Sequence, residues 1–203
     1  MAERVAAVVP VKRLDSAKSR LAGQLSAGER AAVSLEMLGN VVGQIVQVPA
    51  ISAWSVVSGE ERALAVAREL GGEAIRESEA GLNSALELGR AWALKTGADA
   101  LLIVLSDLPL LKAGDLADLL TQRSPVVIAP SKDGGTNALL QRPPGAIPFR
   151  FGHSSAARHW QQALRRGLGT AMFHRDSLAF DVDTPEDLST YLAAQDSLAV
   201  KQR

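Results

Sequence analysis

The chain contains no cysteine, so disulfides, thiolate metal sites and cysteine nucleophiles are excluded together. Aromatics make up only 4%, and Trp54, Trp92 and Trp160 are scattered through the sequence as packing residues are. An excess of either charge is also lacking. Twenty-two Lys and Arg balance 22 Asp and Glu, so the field of the whole molecule gives no reason to expect nucleic acid or a membrane surface as partner. No apolar run approaches the ~18 residues that a spanning helix requires. The opening Met1-Ala2-Glu3-Arg4 lacks a signal-peptide pattern. Together these absences predict a soluble, cytoplasmic protein whose recognition of anions must come from local clusters.

With 203 residues and 47% apolar content, the chain is long enough for a substantial core in a single domain, 1–203. The ordered core is expected at about 4–194, with a tail over 195–203. Val5 to Val9 is a continuous apolar run, as in a strand covered on both faces. Ser26 and Glu29 form a capping box before a helix that presents Ala32, Leu35, Leu38, Val42 and Ile45 and stops before Pro49. Ile51 to Val57 reads as a strand. Ser58 and Glu61 repeat the capping-box spacing before a helix that ends at Gly71-Gly72. A short strand at Ala74-Ile75 follows, then a helix over Leu82 to Lys95 with Gly97 as its terminating glycine. Asp99 to Leu105 is the most apolar strand. Asp115 to Gln122 reads as helix, Pro125 to Ala129 and Ala138 to Leu140 as strands, and Ser154 or Ser155 caps a helix that runs to Arg166. Phe180 to Asp183 reads as a strand end, and Thr184 caps the last helix with Pro185 at its first position. Strands alternating with helices at this spacing predict an α/β fold, a three-layer α/β/α arrangement around a mostly parallel, Rossmann-like sheet.

The segment right after the first strand organises the functional reading. Lys12, Arg13, Lys18 and Arg20 place four cations in nine residues, against the single acid Asp15. Such a run is often only a solvated basic turn. A loop at the carboxyl end of the first strand of an α/β sheet, however, is where these folds bind ligands, and this one suits a nucleoside triphosphate. Asp107 follows the most apolar strand, where a carboxylate can hold a hard cation with phosphate oxygens completing the shell. It is equally an ordinary turn residue before Leu108-Pro109. Asp181 and Asp183 alternate, so both are expected on one face, with Asp181 the freer ligand because Asp183 adjoins the cap at Thr184.

Gly134-Gly135-Thr136 offers backbone N–H groups and a hydroxyl, an anion nest in outline. Gly152 and Ser155 precede a helix whose N-terminus can receive a second anion. His153 is placed to contact phosphate. His159 reads as a structural hydrogen-bonder and His174 as incidental. Two anion sites and a hard-metal site fit the joining of two phosphorylated molecules. A phosphomonoester has a second pKa of about 6 and is already an ionised nucleophile at pH 7, so no general base is needed. Holding the anions in line and neutralising charge then suffices.

Pro10-Val11-Lys12-Arg13-Leu14, Lys18-Ser19-Arg20-Leu21, Asp107-Leu108-Pro109, Gly135-Thr136-Asn137, Phe151-Gly152 with Ser155, Arg158 and His159, and Asp181-Val182-Asp183-Thr184-Pro185 together resemble the CofC/FbiD family. These are the guanylyltransferases of coenzyme F-420 biosynthesis, related in fold to the MobA-like nucleotidyltransferases. The resemblance runs from about Val5 to Leu192. It implies transfer of GMP from GTP to a phosphorylated three-carbon acid: phosphoenolpyruvate, favoured here, or 2-phospho-L-lactate or 3-phosphoglycerate. It further implies Lys12, Lys18 and Arg20 on the triphosphate, with Lys18 and Asp107 in catalysis and Mg on Asp107 with Asp181 and Asp183. Thr136, Gly152 and Ser155 would hold the acid, and Asn83 with Ser84 would lie near the base or ribose.

GTP and the small acid are the expected partners, and a homodimer is compatible with the sequence. One departure is informative. A sugar or molybdopterin nucleotidyltransferase carries a glycine-rich loop after its first strand, where Pro10-Val11-Lys12-Arg13 stands here. The alternatives are therefore such a transferase, or a non-catalytic binder of phosphorylated metabolites, which would need no metal carboxylates.

Overall fold

Val5–Val11 forms the first strand, β1, and every one of its residues is buried. That is why an unbroken apolar run was required: the strand lies in the middle of a sheet covered on both faces. The computed structural model of the chain describes residues 3–14, 18–78 and 81–201, with side chains through 193. Asp15, the acid of the basic loop, lies outside the described residues.

A single-turn 3₁₀ helix at Ser19–Leu21 precedes α1, Ala27–Val46. The Ser26–Glu29 capping box forms as expected: the Glu29 amide donates to Ser26 Oγ and the Ser26 amide to Glu29 Oε2. Leu38, Val42 and Ile45 of α1 face inward as expected, joined by Ala31, Met37 and Val41, whereas Leu35 is only partly buried and Ala32 is exposed. Next come β2 (Ile51–Ser58), α2 (Glu61–Glu69), β3 (Glu73–Arg76), α3 (Leu82–Lys95) and β4 (Ala100–Val104). The second capping box does not form. Ser58 is the last residue of β2, and its hydroxyl donates to the Val11 carbonyl at 2.9 Å while accepting from the Glu60 amide. Strand pairing has taken the serine that spacing alone assigned to the helix.

The chain continues through α4 (Ala113–Thr121), β5 (Val126–Pro130), β6 (Thr136–Gln141), α5 (Ser155–Arg165), β7 (Thr170–Met172), α6 (Asp176–Ala179) and α7 (Pro185–Lys201). The seven strands make one sheet in the order β3-β2-β1-β4-β6-β5-β7. All neighbours are parallel except β6, which runs antiparallel to both β4 and β5. A five-residue connection, 131–135, can only turn a strand back on its neighbour. β6 therefore fills the slot between β4 and β5, and the sheet is mostly rather than wholly parallel. Thr136 and Asn137, expected in a loop, are the first residues of β6. Residues 180–183 are irregular, not a strand end.

Strand residues alternate between the two faces. Ala7, Val9, Leu102 and Val104 pack with α1, α2, α4 and α6 on one side. Ala6, Val8, Leu101 and Ile103 pack with α3 and α5 on the other. A small third cluster joins Leu21, Met37, Val182, Leu188 and Tyr191, tying the end of the basic loop to α1 and α7.

α3 lies so close to β1 that a Cβ on Gly89 would stand 2.5 Å from Val8 Cγ1. Val8 is fully buried and stiff at χ1, so it cannot turn away. Gly89→Ala should destabilise the protein by about 1–3 kcal/mol through overpacking, although alanine gains ~1 kcal/mol of helix propensity. Urea unfolding measures it; an unchanged or raised midpoint would mean that the α3–β1 contact yields easily.

Candidate active site

The strand order reverses between β1 and β4. The chain leaves β1 toward β2 on one side and leaves β4 toward the rest of the sheet on the other, which opens a crevice at their carboxyl ends. The two loops that border this crevice carry the basic segment and Asp107, 89 residues apart in sequence. They meet through Lys18. Its Nζ lies 2.6 Å from Asp107 Oδ2 and 3.2 Å from Asp183 Oδ1, and its side chain is only 7% exposed. Burial works against the ammonium charge, but Asp107 and then Asp183 outweigh it and hold the pKa above its ordinary value. Lys18 also adopts a left-handed backbone conformation, φ 52°, which a non-glycine residue keeps only where its surroundings demand it.

Asp181 stands beside this pair and is 9% exposed. Burial, with the neighbouring Asp107 and Asp183 charges, pushes its pKa from the ordinary 3.8 up to about 6. Its Oδ1 is buried without a hydrogen-bond partner. The turn that presents Asp181 and Asp183 is held by Asp187, an acid in the first turn of α7, and by Lys132. Asp187 Oδ2 accepts from the backbone amides of Asp183 and Thr184 at 3.0 and 2.8 Å, while Lys132 donates to Asp187 Oδ1. Despite burial, the bonds from Lys132 and those two amides keep the Asp187 pKa down to about 2. Thr184 Oγ1 caps α7 as expected, accepting from the Asp187 amide. A Thr-x-x-Asp spacing at a helix start was visible in the sequence and could have marked Asp187.

Lys18, Asp107 and Asp183 line one wall of a cleft that also contains Pro10, Val11, Lys12 and Leu82. Lys12 and Arg20 are exposed. Arg20 reaches toward the β5–β6 turn, where Ser131, then the Gly135 amide and in smaller part Arg20 hold Asp133 below the usual carboxylate range. Both glycine amides of that turn are already engaged: Gly134 N–H donates to the Ser131 carbonyl and Gly135 N–H to Asp133 Oδ1, so the expected nest is closed.

Thr136 and Ser155 do come together, 3.0 Å apart, but both are buried. His159 completes the group. The Arg150 amide donates to Nε2 at 3.0 Å, so the ring proton sits on Nδ1 and is donated to Thr136 Oγ1 at 3.1 Å. Burial, helped by Arg158, lowers the His159 pKa to about 4, which keeps the ring neutral at pH 7. This is the structural histidine that was expected. Neither serine caps α5 with its side chain: Ser154 is left-handed with its hydroxyl on His153, and Ser155 points at Thr136. Gly152 is exposed at φ 118°, and His153 beside it is exposed as well. Asn83 brackets the Phe151 backbone, accepting its N–H at 3.0 Å and donating to its carbonyl at 3.4 Å. It thus steadies the loop ahead of α5.

Residues 5–198 match the family described as "Guanylyl transferase CofC like". The chain belongs to this family. Among its relatives, the phosphoenolpyruvate guanylyltransferase of Rubrobacter xylanophilus is 46% identical over 189 residues, covering 91% of this chain and 92% of that protein. The 2-phospho-L-lactate guanylyltransferase of Methanothermobacter thermautotrophicus is 37% identical over 188 residues, covering 91% and 82%. The fold extends further. The structure of 4-diphosphocytidyl-2C-methyl-D-erythritol synthase from Anaerococcus prevotii superposes with a TM-score of 0.69 at 11% identity, over 96% of this chain and 97% of that one.

A CofC-like site with a buried carboxylate of raised pKa has a consequence for stability. The folded state binds a proton at Asp181 between about pH 4 and 6 that the unfolded state has released, so this group favours folding below pH 4 and loses that contribution as pH rises through 6. Asp181→Asn should therefore stabilise the free protein by on the order of 1 kcal/mol at pH 7.5, after allowance for solvent screening, and by only about a third of that at pH 4.5. Thermal melts of both proteins at the two pH values decide it; an equal difference at both would show that Asp181 is not the group being titrated.

Proposed function

We propose that this protein transfers GMP from GTP to the phosphate of a phosphorylated three-carbon acid, releasing pyrophosphate, as a step of coenzyme F-420 biosynthesis. The observation that carries the reading is the meeting of Lys18 with Asp107 and Asp183 at the switch point of the sheet. That crevice is where an α/β sheet receives its ligand, and cation and carboxylates together are what a triphosphate with its counter-ion needs. Phosphoenolpyruvate is the favoured acceptor because the 46% identical relative is named for it. Relatives named for 2-phospho-L-lactate and 3-phospho-D-glycerate mark the other acids this fold accepts elsewhere.

In the reaction, an oxygen of the acceptor's phosphate attacks the α-phosphorus of GTP. The bond from that phosphorus to the oxygen bridging toward the β-phosphate breaks, and pyrophosphate carries the electron pair away. Lys18, released from its carboxylates, and Lys12 at the cleft mouth hold the triphosphate and offset its charge. Arg20 approaches from the side of the β5–β6 turn. No side chain has to remove a proton, because the acceptor phosphate is already ionised at pH 7. His159 is neutral and fully committed to hydrogen bonds, in keeping with a reaction that needs no base.

The residues present fit a hard divalent cation. All donors are carboxylate oxygens, Asp181 Oδ1 is unpaired, and Asp107 and Asp183 are balanced here by an ammonium that a metal ion can replace. Among the described residues no group of three acidic or imidazole side chains is set to hold a metal by itself. Mg would thus rest on Asp107 and Asp181, with Asp183 beside them, and on phosphate oxygens. Bound there it would neutralise charge on the triphosphate. Thr136, Ser155 and Gly152 would then shape the far side, where the acid lies.

Pyrophosphate release with GTP, Mg and each acid, with ATP and CTP as controls, tests the reading. GTP with one of the three acids should give turnover; silence with all three would sink it. Within the same assay Asp107→Asn should lose at least a thousandfold in kcat, on the order of 4 kcal/mol of transition-state stabilisation. Lys18→Ala should impair GTP use far more than Lys112→Ala, a change at an exposed residue outside the cleft. Equal behaviour of the two lysine variants would remove the basic loop from catalysis.

A further inference from the structure

The cleft does not end at Lys18. Pro10, Val11, Lys12 and Leu82 continue from its carboxylate-lined part into a second hollow, where Arg13, Gly81, Ala85 of α3 and Glu77, the residue just after β3, complete the wall. One continuous groove therefore has a reacting end, with Asp107, Asp183 and Lys18, and an opposite end whose described lining holds one acid, Glu77, and one further cation, Arg13. If the α-phosphorus of a nucleotide lies at the first, its base extends toward the second. This placement rests on the nucleotidyl-transfer reading above.

Glu77 is an unusual residue for such a position. Its backbone continues the β2–β3 pairing, with its N–H donating to the Ser58 carbonyl at 3.1 Å, so the carboxyl group stands on a rigid sheet edge and not on a loose loop. The Gly59 amide donates to the carboxylate. A Cβ at Gly59 would lie 3.8 Å from Glu77 Cγ, so the side chain is held against that turn. The other oxygen, Oε2, is buried and has no hydrogen-bond partner. Burial, only partly offset by the Gly59 amide, raises the Glu77 pKa. A buried carboxylate oxygen left unpaired costs stability unless a ligand completes it.

The geometry points to Glu77 as the residue that reads the nucleotide base, its carboxylate accepting from N1–H and the exocyclic N2 amino group of guanine. The chemistry is selective. An ionised carboxylate is acceptor-only. Guanine presents two adjacent N–H donors on its Watson–Crick edge. Adenine and cytosine present a ring-nitrogen acceptor beside their single amino group, and uracil one N–H between two carbonyls. Each of these would set an acceptor against a carboxylate oxygen. Pro10, Leu82 and Ala85 supply the apolar surface for the ring itself, and Lys12 lies on the path to the phosphates.

The discriminating experiment compares kcat/KM for GTP, ITP and XTP in the wild type and in Glu77→Gln, with Mg and the accepted acid. ITP lacks the N2 amino group; XTP carries a carbonyl there. Wild type should prefer GTP to ITP by about ten- to a hundredfold, the range of one hydrogen bond to a charged group. Glu77→Gln should abolish that preference and shift the XTP-to-GTP ratio upward by at least tenfold, because its amide can donate to the new carbonyl. A ratio taken within one variant is independent of how much of it is folded. If Glu77→Gln slows all three nucleotides equally, or changes nothing, Glu77 does not read the base and the inference falls while guanylyl transfer stands. If the wild type turns over no nucleotide with any of the three acids, the reading above fails and takes this inference with it.

Discussion

A single ammonium among three carboxylates is the interaction on which the rest of this site depends. Lys18 joins a loop after β1, a loop after β4 and the turn before α7, which are otherwise separate parts of the chain. Without it, Asp107 and Asp183 would lose the cation that balances them beside Asp181, and neighbouring like charges disfavour one another's ionised form. Burial first, and then the Asp107 and Asp183 charges that one lysine does not cancel, raises the pKa of Asp181. On the proposed reading, a divalent cation would enter with a triphosphate that takes up the displaced ammonium, so metal and nucleotide would bind in one exchange of charges.

The framework around that ammonium is built to keep it still. Asp187 and Lys132 pin the turn carrying Asp181 and Asp183, and Asn137 donates to the Leu178 carbonyl at 2.8 Å to fix the segment just before it. On the neighbouring part of the sheet, the Ser155–Thr136–His159 chain locks the start of α5 against β6 and, through the Arg150 amide, the loop in front of it. Each is a fully paired polar network, which rigidifies where a partly satisfied one would weaken. The antiparallel β6 makes this possible. Inserted between β4 and β5, it brings the β5–β6 turn and α5 beside the switch point, where an all-parallel sheet would have placed another crossover.

The groove divides its chemistry by distance. Lys18, Asp107 and Asp183 occupy one end; Pro10, Leu82, Ala85, Arg13 and Glu77 line the other. With the base at the second end, as inferred above, base choice and bond breaking would be separable.

Much of the fold was legible in the sequence because each piece depends on local chemistry. The apolar runs of β1 and β4, the Ser26–Glu29 box, Gly97 after α3 and Thr184-Pro185 before α7 each have one low-energy local solution, and the structure adopts it. The basic loop and Asp107 were likewise readable from their places after strands. What the sequence left open was whatever depends on pairing between distant segments. Ser58 fits a capping box as well as it fits a strand end, and only the neighbouring Val11 carbonyl decides for the strand. Thr136 reads as a loop residue until its pairing with Pro130 of β5 makes it the first residue of a strand. Lys132 and Glu77 carry no motif of their own, and the helix-start spacing of Asp187 does not show its bond to Lys132, since these roles lie in what the side chains touch across 55 residues or at the edge of a sheet. Local sequence determined the elements and their ends; the tertiary structure alone decided which polar groups are shared, which are shut in, and which are left for a ligand.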